Sequence, residues 1–255
     1  MKETLILIDG HAIAYRAYYA LTAGGGGERW ITSEGEPTAG TYGFASILMR
    51  ILEQNHPDYL AVAFDRGKTF RNEMFEGYKA TRAKMPDDLR IQIERMRELV
   101  DALGVPRLEM DGFEADDILG SSAKTFAQKG YTVKIVTGDR DLLQLVDENV
   151  IVNLAGGKIS DSRDYTPDKV KETLGVPPEL VVDYKALVGD PSDNYPGVPG
   201  IGPKTAITLL ETWGSVDNIY ANLDQVKGAA RTKLENGKES AFLSQALAKI
   251  KTDLP

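Results

Sequence analysis

Carboxylates stand at the ends of the three strongest strand-like runs in this sequence. Asp9, Asp65 and Asp139 each follow a β-prone apolar run directly or within two residues, and Asp141 comes two residues after Asp139. In an open parallel sheet, ligands bind beyond the carboxyl ends of the strands. A single Asp after a strand is more often a helix cap or a turn residue. Three strands that each end in an acid favour a shared acidic site.

Two further groups of acids lie at the ends of predicted helices. Glu114, Asp116 and Asp117 begin one helix, where negative charge suits the helix dipole but three neighbouring acids also repel each other. Glu114 and Asp117 share a helix face, so they could converge on one ion. Asp190 and Asp193 follow a helix C-terminus, where the dipole disfavours negative charge and a cation would relieve it.

These nine carboxylates predict a metal centre with oxygen ligands. The chain has no Cys and only two His, so thiolate sites, His-rich sites and most Ser-His-Asp schemes are excluded. Oxygen ligands suit Mg²⁺, Mn²⁺ or Ca²⁺. Nine acids exceed the one or two carboxylates that a Mg²⁺ ion usually takes, so we expect two or more ions. Paired ions are typical of phosphodiester hydrolysis.

The net charge of −8, taken over the whole chain, argues against a nucleic-acid substrate. Setting the nine acids aside, however, leaves 29 acidic against 30 basic residues. The stretch 66–84 carries six basic residues, two acidic residues and three aromatic residues. Such a stretch can grip phosphates and stack on bases, although a solvated amphipathic helix with buried aromatics is an equally good interpretation.

A glycine-rich segment at 197–206 predicts a phosphate contact. Pro203 separates Gly202 from Lys204, and the preceding segment is helical, so a nucleotide-binding P-loop is rejected. A tight turn between two helices remains, with Pro203 at the first position of the second helix. Its N–H groups and Lys204 suit a DNA backbone phosphate. A plain helix connection is the alternative.

The surrounding elements predict an α/β protein with two domains. Strand-like runs at 4–8, 59–64, 132–137 and 150–152 alternate with helical patterns, one of them over 86–104, which indicates a parallel sheet with helices on both faces. From about residue 175 the spacing is helical throughout. We therefore predict an α/β domain at 1–174 and an all-helical domain at 175–255. Gly24–Gly27 is interpreted as a spacer loop.

At this point the sequence resembles a known family, the 5′-nuclease or flap endonuclease-like domains found at the N-terminus of bacterial DNA polymerase I. The likeness covers essentially the whole chain. The matching segments are LIDG at 7–10 with YRA at 15–17, EPT at 36–38 with YG at 42–43, FD at 64–65 with FR at 70–71, YKATR at 78–82, GFEADD at 112–117, TGDRD at 137–141, GDPSDN at 189–194 and the loop at 197–206. The segment from Gly24 to Trp30 is longer than the family pattern.

The resemblance implies a PIN-like or resolvase-like nuclease core at 1–174 with a helical gateway around 66–104, and a helix–three-turn–helix in the second domain. It also implies metal-dependent cleavage of DNA from 5′ ends and at 5′ flaps. It implies Mg²⁺ or Mn²⁺ as cofactor and K⁺ at the 197–206 loop. It assigns catalysis to Asp9, Lys79, Arg82 and Asp116. The nine carboxylates match the family's metal ligands: Asp9, Asp65, Glu114, Asp116, Asp117, Asp139, Asp141, Asp190 and Asp193. The DNA-binding residues that we expect are Arg16, Arg71, Tyr78, Lys79, Arg82, Gly200, Gly202, Lys204 and Thr205.

The expected partners are flapped, nicked or branched DNA, RNA primers on DNA, and a polymerase region that follows in the same chain. Two alternatives stay open: a related nuclease that acts mainly on RNA, and a non-catalytic module that binds branched DNA. The sequence has no secretory signal and no apolar stretch of membrane-spanning length. We therefore expect a cytoplasmic monomer that does not bind membranes.

Overall fold

The computed structural model describes residues 2–23, 26, 29–155 and 162–255, which fall into two compact units. The first unit comprises Met1–Gly67, Lys84–Tyr165 and Lys251–Pro255, and the second comprises Lys68–Ala83 and Thr166–Ile250. This division differs from the expected boundary, because 68–83 joins the helical unit and the last five residues join the first. Three residues of the predicted spacer (24, 25 and 27) lie outside the described residues.

The first unit is built on one six-stranded sheet in the order β3-β2-β1-β4-β5-β6. All neighbouring strands are parallel except β5 and β6, which are antiparallel. The order reverses between β1 and β4, which makes the carboxyl ends of these strands the expected ligand-binding crevice. The strands are β1 Thr4–Asp9, β2 Tyr59–Ala63, β3 Arg107–Leu108, β4 Thr132–Thr137, β5 Val150–Leu154 and β6 Arg163–Tyr165.

Helices cover both faces of this sheet, as predicted. Ile6 and Ile8 of β1 pack with apolar residues of α1, α2 and α4, and all of these residues are buried. Leu5 and Leu7 alternate to the opposite face and are buried as well. Helix α5 contacts β1 and β4. The helices of this unit are α1 Gly10–Thr22, α2 Ala39–Asn55, α4 Asp87–Ala102 and α5 Ala115–Gln128.

The second unit contains only helices and loops among the described residues, which confirms the predicted all-helical domain. Tyr78, Tyr195, Leu247 and Ala248 form a small buried core that joins the 68–83 segment to the last helix. The helices are α3 Phe70–Met74, α6 Pro167–Leu174, α7 Val181–Val188, α8 Pro203–Trp213, α9 Val216–Ala221, α10 Ala229–Asn236 and α11 Lys238–Ala248.

The four predicted strands and the helix at 86–104 are confirmed by β1, β2, β4, β5 and α4. Two short strands, β3 and β6, carried too little periodic sequence to be recognised. In the part of the chain that the structure describes, no helix combines the length and the apolar character needed to cross a membrane.

Candidate metal and nucleic-acid site

Asp9 lies at the end of β1 and at the start of α1. One carboxylate oxygen accepts the N–H of Ala12 at 3.0 Å, which makes Asp9 the N-cap of α1. The other oxygen accepts the hydroxyl of Thr137, at the end of β4, at 2.8 Å. The structure therefore gives Asp9 the capping role that a single acid after a strand predicts. It also places Asp9 at the crevice between β1 and β4.

Burial of Asp9 raises the pKa of its carboxyl to about 7. The negative charges of Asp65 and Asp139 contribute to this increase, and the hydrogen bonds from Ala12 and Thr137 oppose it. Asp65 and Asp139 follow β2 and β4, so acids from two other strand ends act electrostatically on Asp9. A cation at this edge would favour the ionised form of Asp9.

Asp65 is fixed by contacts from both sides. One carboxylate oxygen accepts the N–H of Ala115, the first residue of α5, at 2.7 Å. Its own N–H donates to Nδ1 of His11 at 3.1 Å, and Arg97 donates to its carbonyl at 3.1 Å. Burial lowers the pKa of His11, so the neutral imidazole accepts this hydrogen bond. Sequence reasoning missed His11 and Arg97; their partners lie about 54 and 32 positions away, which no local pattern reveals.

The acids at the start of α5 form a capping box. Glu114 is the N-cap residue, and Asp117 accepts the N–H of Glu114 at 3.1 Å. Asp116 lies in the first turn and is half-buried, whereas Asp117 is completely buried. Glu114 and Asp117, which share a helix face, therefore use their side chains to stabilise the first turn of α5. Asp117 thus has a structural role at the helix start, and its role as a metal ligand stays a prediction.

Asp139 caps the short 3-10 helix Arg140–Leu145, where its carboxylate accepts the N–H of Asp141 at 2.8 Å. The N–H of Asp139 donates to the hydroxyl of Thr137 at 3.0 Å. Thr137 thus bridges Asp9 and Asp139. Sequence analysis overlooked it because a Thr at a strand end is an ordinary β residue.

The oxygen-only donors at this edge suit a hard divalent ion. Within the described ranges, no three His, Asp or Glu side chains converge closely enough to form a ready-made metal cage. Mg²⁺ does not require one, because it usually binds one or two carboxylates and keeps several waters. The observation that fits such an ion is that the negative charges of Asp65 and Asp139 act on the buried carboxyl of Asp9.

In the second unit, Asp193 contacts three of the residues that are predicted to bind DNA. Its buried carboxylate accepts the hydroxyl of Tyr78 at 3.1 Å, forms a short ion pair with Arg82, and lies 4.0 Å from the Nζ of Lys79. The backbone of Lys79 is left-handed, with φ 57°, and its N–H donates to the Asp193 carbonyl at 2.9 Å. A strained backbone at a charged residue is common at functional sites.

Asp190 has a cationic partner within its own unit. Burial alone would raise the pKa of its carboxyl, but the Lys185 ammonium at 2.7 Å and the hydroxyl and N–H of Ser192 lower it to about 2. Lys185 therefore supplies the positive charge that a carboxylate at a helix C-terminus requires. The role of Asp190 and Asp193 as metal ligands stays a prediction.

Two residues predicted to contact DNA, Arg71 and Tyr78, make buried structural contacts in the second unit, and their binding to DNA stays a prediction. Arg71 is buried, and its guanidinium donates to the carbonyls of Leu247 at 2.9 Å and Lys249 at 2.8 Å. Tyr78 is buried in the small core of the second unit, so its ring is not exposed for stacking on a base. Both residues hold the 68–83 segment against the end of the helical unit. Arg16 lies half-buried on α1.

The 197–206 segment forms the predicted turn before α8. Gly197 has φ 62°, and a Cβ there would meet the backbone N of Gly189 at 2.2 Å, so only glycine fits. Gly202 is the N-cap residue of α8. The Nζ of Lys233 donates to the carbonyl of Gly200 at 2.8 Å. The four predicted DNA-binding residues of this segment are exposed: Gly200, Gly202, Lys204 and Thr205.

Comparisons with known proteins cover the whole chain. Residues 4–175 match the model of the 5′-3′ exonuclease N-terminal resolvase-like domain, and residues 176–255 match that of the 5′-3′ exonuclease C-terminal SAM fold. DNA polymerase I of Caldicellulosiruptor bescii is 48% identical over 254 residues, which are 98% of this chain and 29% of that protein. The thermostable DNA polymerase I of Thermus thermophilus is 46% identical over 255 residues, which are 100% of this chain and 29% of that protein.

The chain thus spans less than a third of the length of these relatives. Among solved structures, the bacteriophage T5 flap endonuclease, crystallised with DNA and metal ions, has the same fold. Its TM-score is 0.75 at 22% identity, and the match covers 96% of this chain and 89% of that one. Both family models match in the expected order and together span residues 4–255, so this chain belongs to the 5′-3′ exonuclease family.

Proposed function

We propose that this chain hydrolyses phosphodiester bonds of DNA from 5′ ends and at 5′ flaps, with the help of divalent metal ions. The observation that carries the proposal is the buried Asp9 at the end of β1, which is hydrogen-bonded to Thr137 of β4 and whose pKa is raised to about 7 by burial and by the charges of Asp65 and Asp139. Family membership and the T5 flap endonuclease with DNA and metal ions support it.

Mg²⁺ or Mn²⁺ would be held by acids of the first unit. The candidates are the strand-end acids and those beside them: Asp9, Asp65, Glu114, Asp116, Asp139 and Asp141. When bound, such ions supply a hydroxide at neutral pH and stabilise the leaving 3′-oxygen. The protein's own contribution is to orient these acids through the contacts of Thr137, His11 and Ala115.

The basic residues would act on the phosphate. We assign Lys79 and Arg82 to neutralising charge that develops on the scissile phosphate, since an oriented cation is worth more there than in water. Asp193 holds both cations in the free protein, so a phosphate would compete with this carboxylate for them. The exposed glycine turn and Lys204 would bind the backbone of the duplex.

A fluorescent 5′-flap duplex tests the proposal. We expect cutting near the flap junction with Mg²⁺ and none with a chelator. Asp116→Ala should reduce cleavage by at least 10³-fold while DNA affinity stays within a few-fold, because an acid that holds a metal contributes to the chemistry more than to binding. Asp111→Ala, which removes an exposed acid paired with Arg66, is the matched control and should keep full activity.

Two outcomes would contradict this function. Tight binding without cutting, even in Mn²⁺, would favour the non-catalytic branched-DNA module. Faster cutting of a matched RNA flap would favour the RNA nuclease.

The DNA polymerase I relatives also lead us to propose that a polymerase region follows this domain in the whole protein.

A further inference from the structure

The last five residues of the chain pack along α5, the helix whose first turn carries Asp116 and Asp117. The hydroxyl of Ser121 donates to the carbonyl of Lys251 at 3.2 Å and accepts the N–H of Leu254 at 3.1 Å. The Nζ of Lys124 lies 3.4 Å from the hydroxyl of Thr252. We call residues 251–255 the tail. One buried serine thus binds the tail at two points.

A third attachment lies at the start of α5 and uses Asp117. One of its carboxylate oxygens accepts the N–H of Lys251 at 2.8 Å, and the other accepts the N–H of Glu114 at 3.1 Å. Asp117 has no exposed surface. Its carboxylate therefore links the tail to the residue that begins the acidic helix.

We propose that Asp117 is a positioning residue that fastens the tail to the first turn of α5, and that this attachment fixes the backbone of Glu114 and Asp116 for metal binding. The inference rests on the proposed function. It differs from the family resemblance, which assigns Asp117 directly to the metal. Residues that orient metal ligands typically change metal affinity by about 10- to 100-fold when they are lost.

The chemistry of the contact explains why an acid is needed. An ionised carboxylate can accept one N–H on each oxygen, and such charge-assisted bonds are stronger than neutral ones. In Asp117→Asn, one oxygen becomes an NH₂ group, which cannot accept a hydrogen bond. Either Lys251 or Glu114 must then lose its acceptor.

Two measurements on the 255-residue chain test the proposal without relying on cleavage. Hydrogen exchange reports on the N–H groups of Lys251 and Leu254, and titration with Mn²⁺ reports the affinity and number of bound ions. Ser121→Ala is the main variant, because it releases the tail without touching an acid. Ser122→Ala removes a neighbouring half-buried hydroxyl and is the matched control.

In Ser121→Ala we expect exchange at Leu254 to become at least about tenfold faster and Mn²⁺ binding to weaken by about tenfold, with the number of ions unchanged. Ser122→Ala should alter neither quantity. Asp117→Asn should accelerate exchange at Lys251 or Glu114 and weaken Mn²⁺ binding to a similar extent, again with unchanged stoichiometry.

Each contrary result has a distinct meaning. Loss of one bound ion in Asp117→Asn, with normal affinity in Ser121→Ala, would make Asp117 a metal ligand and overturn the proposal. Faster exchange in Ser121→Ala with unchanged Mn²⁺ affinity would overturn the positioning role while leaving the proposed function intact. A wild-type chain that binds no Mn²⁺ would overturn both.

Discussion

At the scale of single residues, helix capping and metal binding, which the sequence presents as alternatives, are compatible roles for the same carboxylates. Asp9 and Asp139 cap helices, and Glu114 begins a capping box, yet all three lie near the edge where a metal ion would bind. A cap fixes a carboxylate by a hydrogen bond to one oxygen, which leaves the group oriented for a second partner. Capping therefore does not argue against a metal site here.

Lys185→Met should destabilise the metal-free protein by about 2 kcal/mol at pH 7, because it removes the cation that lowers the pKa of Asp190. The folded-state pKa of about 2 is below the ordinary value of 3.8. The stabilisation is therefore present above about pH 4 and is lost as the pH falls towards 2. Urea unfolding at pH 7 and pH 3 in a chelator measures this difference.

Lys169→Met is the control for that experiment, since it removes a lysine from the more exposed pair with Glu172 and should change stability by under about 1 kcal/mol. A Lys185→Met penalty that is equally large at both pH values would contradict the electrostatic explanation and point to packing of the lysine stem.

At the scale of elements, close approach between strands and helices decides which glycines at the site edge are essential. Gly10 begins α1 immediately after Asp9, and Gly138 precedes Asp139. A Cβ on Gly10 would lie 2.5 Å from the ring of Phe64 and 2.8 Å from the carbonyl of Ala63, whereas a Cβ on Gly138 would meet only Ala12, at 3.7 Å. The two glycines look alike in the sequence and differ in their surroundings.

Gly10→Ala should lower the free energy of unfolding by about 1–3 kcal/mol, because the ring of Phe64 or the end of β1 must move. Gly138→Ala should stay within about 0.5 kcal/mol of the wild type. Urea denaturation of both variants measures the difference. Equal effects would show that the space between Gly10 and Phe64 accepts a methyl group without strain.

The N-terminus of α8 provides a second prediction for an element. Lys204→Ala should weaken duplex binding and reduce the salt dependence by about one phosphate contact, because Lys204 is exposed beside the Gly202 cap. Fluorescence anisotropy at several salt concentrations measures the slope. Lys171→Ala, at an exposed position on α6, should leave the slope unchanged. A wild-type slope for Lys204→Ala would show that Lys204 does not contact a phosphate.

At the scale of the whole molecule, we expect the acidic edge to make stability depend on pH and on divalent ions. The folded-state pKa of Asp9 is about 7, above the ordinary value of 3.8, so the folded protein favours the protonated form. Without metal, the contribution of Asp9 to stability is greatest below about pH 4 and is lost as the pH rises to 7. An ion that favours the carboxylate reverses this loss.

Mg²⁺ at about 100 times its Kd should add about 2.7 kcal/mol and raise the Tm by about 5–10 °C at pH 8, with a smaller rise at pH 5.5. Differential scanning fluorimetry with and without chelator measures the shift. Asp9→Asn should reduce it, while Asp168→Asn, at an exposed position on α6, should keep it. A shift that is unaffected by Asp9→Asn would place the ion elsewhere.

The sequence by itself predicted four of the six strands, the metal-ion chemistry that we propose for their carboxyl edge, and the family. Continuous apolar runs predict buried parallel strands, and the acids after them predict an oxygen-ligand site at the carboxyl edge. Both inferences depend on local spacing, which a single sequence displays directly. The alternation of strands and helices followed by helices alone indicated two parts, as the structure confirms.

Only the tertiary structure decided what each charged residue contacts. Arg71 binds carbonyls 176 and 178 positions away, Tyr78 binds Asp193 across 115 positions, and Asp117 binds Lys251 across 134. Such partners determine whether a polar side chain is a buried anchor or an exposed contact, because a buried polar group must be satisfied wherever its partner comes from. Local spacing shows which charged residues lie at the edge of the sheet. Contacts between residues far apart in the sequence decide the role of each of these side chains.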